Sequence, residues 1–219
     1  MFRFKQFSVE QELCAMKVGT DGVLLGAWAQ GGKRILDIGT GTGLIALMMA
    51  QRNPASNVMA IDIDEGAFRQ AMLNIEQSPF RHQIVVKQEA VQEHQGQYES
   101  IVCNPPYFID ALHAPDKQRS IARHTDTLSY AELMQAAYRL LTDDGEFSVI
   151  VPFDYRKRME DEAVFVGFFP RRILGFRTSE RKPIKRYLLS FVKHPMATEN
   201  SIITFGDEAY KELTKDFYL

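Results

Sequence analysis

Ile35-Leu36-Asp37-Ile38-Gly39-Thr40-Gly41-Thr42-Gly43 is the stretch on which the fold turns. Arg34 to Ile38 is a short apolar run that reads as a strand, and Leu44 to Gln51 reads as a helix. Between them the glycines permit a tight turn and a close backbone approach to a ligand, and the following helix presents its N-terminus there. A dinucleotide site would space its glycines as G-x-G-x-x-G and rest a pyrophosphate on that helix end. Here the glycines fall at 39, 41 and 43, and the sixth position is Leu44. Asp37 stands just before the first glycine, where it would repel a pyrophosphate but could hold a cationic amino-acid head group, directly or through water. This argues against a nicotinamide cofactor.

Outward from this loop, strand-like and helix-like segments alternate. Val58 to Ile63 is β-branched and apolar, Ala67 to Gln77 is amphipathic, and Gln83 to Lys87 and Ser100 to Cys103 are further strands. Tyr130 to Leu141 has apolar residues at helical spacing, Asp143-Asp144-Gly145 reads as a turn, and Phe147 to Val151 as a fifth strand. Alternation of this kind predicts βαβ units and a parallel sheet with helices on both faces. After Val151 the pattern changes. Phe153 to Phe165 looks helical, and Ile173 to Thr178 and Tyr187 to Lys193 read as two strands joined by a basic loop containing Pro183. The expected architecture is α/β and Rossmann-like: a mostly parallel seven-stranded sheet with an antiparallel C-terminal hairpin at its edge. With no linker or repeat, one domain spans residues 1–219, divided into an N-terminal covering segment (1–30), a core (31–151) and a C-terminal helix and hairpin (152–219).

The 219 residues, 45% hydrophobic and 25% charged, are globular values and can bury a continuous core. The formal net charge of −2 gives no overall attraction to a polyanion. Its distribution is uneven: Arg171, Arg172, Arg177, Arg181, Lys182, Lys185 and Arg186 are interrupted only by the acid Glu180. A basic face on a near-neutral protein suits an enzyme that touches a polyanion on one side. Cys14 and Cys103 are far apart, lack metal-ligand spacing and read as reduced thiols, so no metal is expected. No stretch has the length of a signal peptide's apolar region or of a spanning helix, and the expectation is a cytoplasmic protein with no membrane partner. Sequence does not set the oligomeric state; a monomer is the working expectation.

Two further acids follow at strand ends. Asp62 closes Val58-Met59-Ala60-Ile61-Asp62, the position where such folds hydrogen-bond ribose hydroxyls, while Asp64 starts a helix as its cap. The fourth strand runs into Cys103-Asn104-Pro105-Pro106-Tyr107-Phe108. An amine conjugated to a flat ring is a poor nucleophile because its lone pair is delocalised. The Asn104 side-chain oxygen and the Pro105 carbonyl can each accept one of its hydrogens, favouring a pyramidal nitrogen whose lone pair is free to attack. Pro106 stiffens the loop, and Tyr107 can stack on the base. No general base is needed beforehand, because the amine becomes acidic only after alkylation.

The acid-glycine-x-glycine-x-glycine stretch resembles the first motif of the class I methyltransferases, and Asn104-Pro105-Pro106-Tyr107 resembles the motif of those acting on planar nitrogens, adenine N6 and glutamine N5. Lys17-Val18-Gly19-Thr20-Asp21-Gly22, within Phe7 to Ala29, and Ile121-Ala122-Arg123-His124-Thr125-Asp126 extend the likeness over nearly the whole chain. Together with the basic hairpin they resemble the bacterial tRNA1(Val) (adenine(37)-N6)-methyltransferase family. The resemblance implies S-adenosylmethionine as cofactor and an adenine of a tRNA anticodon loop as substrate. It implies a cofactor site of Thr20, Asp21, Asp37, Gly39, Gly41, Gly43, Asp62, Glu89 and Asn104, with Glu89 on the cofactor's adenine amino group. Catalysis falls to Asn104, Pro105, Pro106 and Tyr107. Arg123 and His124 stand where RNA-facing or pocket residues are expected, a capping or core histidine being the alternative. Arg171, Arg181, Lys182, Lys185 and Arg186 are the phosphate candidates. Glutamine N5 methylation is the competing chemistry, though those enzymes usually carry an additional N-terminal helical domain. Adenine methylation of DNA usually needs an added recognition domain, and a non-catalytic RNA-binding module would not require Asp37, Asp62 and Asn104 at successive strand ends.

Overall fold

The computed structural model describes residues 1–14, 16–105 and 128–219. β1 (Phe2–Arg3) and β2 (Ser8–Val9) form a small antiparallel ribbon. α1 (Thr20–Trp28), β3 (Arg34–Ile38), α2 (Leu44–Arg52), β4 (Asn57–Asp62), α3 (Glu65–Glu76) and β5 (Ile84–Gln88) follow, then β6 (Tyr98–Cys103), α4 (Tyr130–Leu140), β7 (Leu141–Pro152) and α5 (Arg156–Val166). The chain closes with β8 (Phe169–Arg177), β9 (Arg186–Val192), β10 (Glu199–Thr204) and α6 (Glu208–Thr214). One sheet holds eight of these strands in the order β10-β8-β9-β7-β6-β3-β4-β5.

β3, β4, β5, β6 and β7 run parallel, as the β-branched and aliphatic runs require when both faces of a sheet are covered. One apolar layer joins α1, α2, α3 and α6 to one face, including Leu24, Leu47, Ile75 and Tyr210. The other face carries α4 and α5 through Leu133, Met134, Met159 and Ala163. α1 and α2 approach closely because α1 offers glycines: a Cβ built on Gly22 would lie 3.1 Å from Leu44, and one on Gly26 would lie 2.8 Å from Met48. The two contacts advance four residues on each helix, so α1 and α2 run parallel with their N-termini side by side.

The expectation of seven strands with the hairpin outermost is corrected. β8 and β9 do pair antiparallel, but β10 adds an eighth strand, parallel to β8, and takes the edge. Its sequence, Glu199-Asn200-Ser201-Ile202-Ile203-Thr204, buries only its last two residues, so it shows neither an apolar run nor a clear alternation. Asp143-Asp144-Gly145 lies within β7 rather than in a separate turn. Tyr98 pairs with Leu141 and Ser100 with Glu146, a register shift that absorbs these residues as an irregularity in the ladder.

Candidate active site

The glycine loop leaves β3 at Ile38, which is level with Ile61 of β4 and Cys103 of β6. Gly39 and Gly41 have φ of 67° and 57°, left-handed values that a side chain would strain. The N–H groups of Gly39 and Thr40 donate to the Ile61 carbonyl at 2.9 and 3.0 Å, tying the loop to the neighbouring strand end. Asp37 is wholly buried behind this turn. Its Oδ2 accepts from the Thr40 hydroxyl at 2.6 Å and from the Ala46 N–H at 3.1 Å, so this carboxylate shapes both the loop and the first turn of α2. Burial pushes the Asp37 carboxyl up to about 7, against the opposing pull of those two donors. Asp37 thus stands behind the loop, exposing no surface of its own.

Asp62 is held by the backbone. Its Oδ2 accepts from Gly41 N–H at 2.8 Å and its Oδ1 from Asp64 N–H at 3.0 Å, and burial pushes its carboxyl upward. Asp64 accepts from Ala67 N–H at 2.8 Å and caps α3, as expected of it. One strand further, Glu89 N–H donates to the Asp62 carbonyl at 3.0 Å. Gly39, Asp62 and Glu89 therefore lie at or just past the C-terminal ends of adjacent strands, which are spaced about 5 Å apart. Sequence reading missed what stands behind Glu89. The buried His94 places Nδ1 3.0 Å from Glu89 Oε2 and Nε2 2.7 Å from the Tyr98 hydroxyl. The signal was present as Glu89-x4-His94-x3-Tyr98, but its meaning depends on the loop that folds the three together.

Asn104 and Pro105 follow β6, on the other side of β3 from Asp62. The Asn104 amide donates to Met16 Sδ at 3.7 Å. The segment ahead of α1 reaches this point across α3, where Leu13 N–H donates to Gln70 at 3.0 Å and Glu10 N–H to Asn74 at 2.9 Å. It thus crosses the strand ends and delivers Thr20 and Asp21, the start of α1, beside the start of α2. Asp21 has a partner that sequence did not suggest: Arg186 Nε donates to its Oδ2 at 2.8 Å. A residue assigned to cofactor and one assigned to RNA neutralise each other. Cys14 and Cys103 are both free and buried, and desolvation holds the Cys103 thiol well above its usual range. Pro106, Tyr107, Arg123 and His124 lie outside the described residues.

The basic residues separate in space. Pro152 pairs with Arg186, and Phe176 with Arg186 across the other side of β9, so the loop between β8 and β9 leaves the sheet at the same edge as the glycine loop. Arg181, Lys182 and Lys185 are exposed there and pair with no acid among the described residues. Arg171 sits near the opposite end of β8. It donates to the Ala197 carbonyl at 2.7 Å and meets Glu199 at 2.8 Å, which fastens the start of β10. Arg172 pairs with Glu146 and covers the Trp28 ring at 4.1 Å. The structure therefore brings Arg181, Lys182, Lys185 and Arg186 to the site edge and leaves Arg171 away from it.

The residues present suit a cofactor with a ribose and an amino-acid end. A Cβ built on Gly39 or Gly41 would meet nothing within 4 Å, so open space adjoins the turn. Asp37 Oδ1 is buried with no hydrogen-bond partner among the described residues. A family model described as the methyltransferase small domain matches residues 18–165. A tRNA1(Val) (adenine(37)-N6)-methyltransferase of Bacteroides thetaiotaomicron is 46% identical over 230 residues, covering 100% of this chain and 97% of the relative. The chain belongs to this family. Among solved structures, a predicted O-methyltransferase from Agrobacterium tumefaciens superposes with a TM-score of 0.69 at 15% identity, covering 90% of this chain and 96% of that one. The glycopeptide N-methyltransferase MtfA, solved with S-adenosylmethionine, superposes with a TM-score of 0.59 at 11% identity, covering 81% and 100%. At such identities the likeness shows the fold alone: this family member has the α/β class I methyltransferase architecture.

Proposed function

We propose that this methyltransferase moves a methyl group from S-adenosylmethionine to the exocyclic N6 of an adenine in tRNA, adenine 37 beside the anticodon of tRNA1(Val). The observation that carries the reading is the level alignment of Ile38 with Cys103, which puts Asn104-Pro105 one strand away from the glycine loop. S-adenosylmethionine supplies a methyl on a cationic sulfur, so the protein's task is placement rather than activation.

Asp62 and Glu89 are the partners for ribose hydroxyls and an adenine amine, and the amino-acid end lies by Thr20 and the start of α1. The Asn104 side-chain oxygen and the Pro105 carbonyl accept the two N6 hydrogens and turn the lone pair toward the methyl. Tyr107 is assigned the stacking role by residue type. An anticodon-loop base is already partly unstacked, so drawing it into the site costs less than flipping one from a duplex. Arg181, Lys182 and Lys185 carry the phosphate contacts in this reading, on the same edge as the target. Residues 1–219 act in it as one methyltransferase domain.

The test is labelled methyl transfer to total tRNA from a strain lacking the gene, with nucleoside analysis. N6-methyladenosine should appear with the wild type and vanish with Asn104→Ala, while affinity for S-adenosylhomocysteine stays within a few fold. Undiminished turnover of Asn104→Ala rejects the assigned role. Label in a release-factor glutamine instead of tRNA replaces the reading with N5 methylation.

A further inference from the structure

We infer that His94 is a positioning residue that aims the Glu89 carboxylate at the 6-amino group of the cofactor's purine, making the enzyme select a 6-amino over a 6-oxo purine. The inference rests on the reading of Glu89 as the adenine's partner.

The geometry begins with the loop. Between β5 and β6 the chain is pinned by Arg139 of α4, whose Nη1 donates to the His94 carbonyl at 2.7 Å and whose Nη2 donates to those of Val91 and Gln92 at 3.0 and 3.3 Å. Gly96 has φ 142°, and a Cβ there would lie 3.0 Å from the Tyr98 ring, so only glycine lets that ring lie so close. The result is a polar chain running inward from the surface: Glu89 Oε2, His94 Nδ1 at 3.0 Å, His94 Nε2, and the Tyr98 hydroxyl at 2.7 Å. The two rings stack with centroids 5.7 Å apart.

Hydrogen directions follow from the partners. A carboxylate offers only acceptors, so Nδ1 carries the hydrogen facing Glu89. In the neutral ring Nε2 is then an acceptor, and the Tyr98 hydroxyl donates to it. Burial raises the Tyr98 phenol above its ordinary range, which keeps it a donor, while Arg34 stacks over its ring at 5.4 Å. Lys87 Nζ lies 4.0 Å from the same Glu89 oxygen. His94 therefore occupies Oε2, and Oε1 accepts from no described residue. Glu89 is a quarter exposed at 25%. A glutamate at a strand end has three free torsions; anchoring one oxygen to a buried ring limits where the other can point, on a residue whose backbone N–H is tied to the Asp62 carbonyl at 3.0 Å. An exocyclic amine satisfies that oxygen, whereas a 6-oxo group sets two acceptors against each other.

The test compares the affinities of S-adenosylhomocysteine and S-inosylhomocysteine by calorimetry. The wild type should favour the 6-amino ligand by about tenfold, the discrimination expected when a half-buried partner is left unpaired. His94→Leu, melting cooperatively, should bring the ratio close to unity. His94→Asn sets an amide N–H where Nδ1 stood and should restore most of it. Glu89→Gln, whose amide can donate, should turn the preference toward the 6-oxo ligand. A full ratio in His94→Leu, or no recovery in His94→Asn relative to it, overturns the assignment of His94 and leaves the proposed function standing. Should His94→Leu not fold, the ring-preserving His94→Phe replaces it, and a full ratio in that variant overturns the assignment. Equal binding of both ligands by the wild type removes Glu89 from the adenine and the relay with it. Binding of neither rejects the cofactor reading itself.

Discussion

At the β3–β5 end of the sheet, Asp37, Asp62 and Glu89 belong to three adjacent strands or the turn just after one, Asp37 behind the glycine loop and the other two at the strand ends. At the β8–β10 end, Arg171, Arg172 and Arg186 are near neighbours in sequence yet finish at different places and on different partners. The first set is positioned by backbone: strand order and the hydrogen bonds from Gly39, Thr40 and Glu89 leave little choice of location. The second set is positioned by side chains, and long cationic side chains go to whichever acid another element presents. The location of acidic residues at parallel strand ends can therefore be read from sequence, whereas a run of basic residues can be read only as a supply of charge.

The contrast can be tested, beginning with the largest effect. Asp37 holds its proton in the native state up to about pH 7, whereas an unfolded aspartate releases it near 3.8. Between those values the native chain binds more protons than the unfolded one, so this residue's contribution falls as pH rises and levels off above about 7. Asp37→Asn does not titrate there. Its stability relative to the wild type should climb by on the order of a few kcal/mol across that window, measured by urea unfolding at successive pH values. Parallel profiles for the two proteins would break the reading of Asp37 as a buried loop-former.

Asp62→Ala should weaken S-adenosylhomocysteine binding by about 1–3 kcal/mol with little change in melting, since its orphaned partners lie at the ligand edge. An unaltered dissociation constant would place Asp62 with Asp37 as a residue of the loop alone. At the basic end, Lys182→Glu with Lys185→Glu should lower tRNA affinity and cut the salt slope by about one per lysine. Arg171→Glu should leave that slope as it was, because its charge serves β10. Equal slopes for the two variants would dissolve the spatial division of the cluster. The smallest effect belongs to Asp64→Ala, which should cost about 1 kcal/mol of stability through the lost cap of α3 and leave ligand affinity alone.

Asp62 and Asp64, two residues apart, show how far local sequence reaches. A carboxylate ending an apolar strand and one opening a helix have different jobs, and the hydrogen bonds to Gly41 and Ala67 agree with that division. The strands from Arg34 to Cys103 and the helices between them were legible for the same reason: strand and helix periods differ, and buried parallel strands must be continuously apolar. β10 was not legible, because an edge strand paired on one side and half exposed carries almost no pattern.

What the amino-acid sequence determined by itself is the Rossmann-like order of elements, the glycine turn, and the placing of Asp62, Glu89 and Asn104 at strand ends, since all of these follow from backbone geometry and periodicity over a few residues. Only the tertiary structure decided that Asp21 neutralises Arg186, that Arg171 fastens β10, and that His94 and Tyr98 stand behind Glu89. The physical reason is that a side chain's electrostatic partner is chosen by proximity in space, and Asp21 and Arg186 are brought together only when α1 and β9 reach the same edge of the folded sheet.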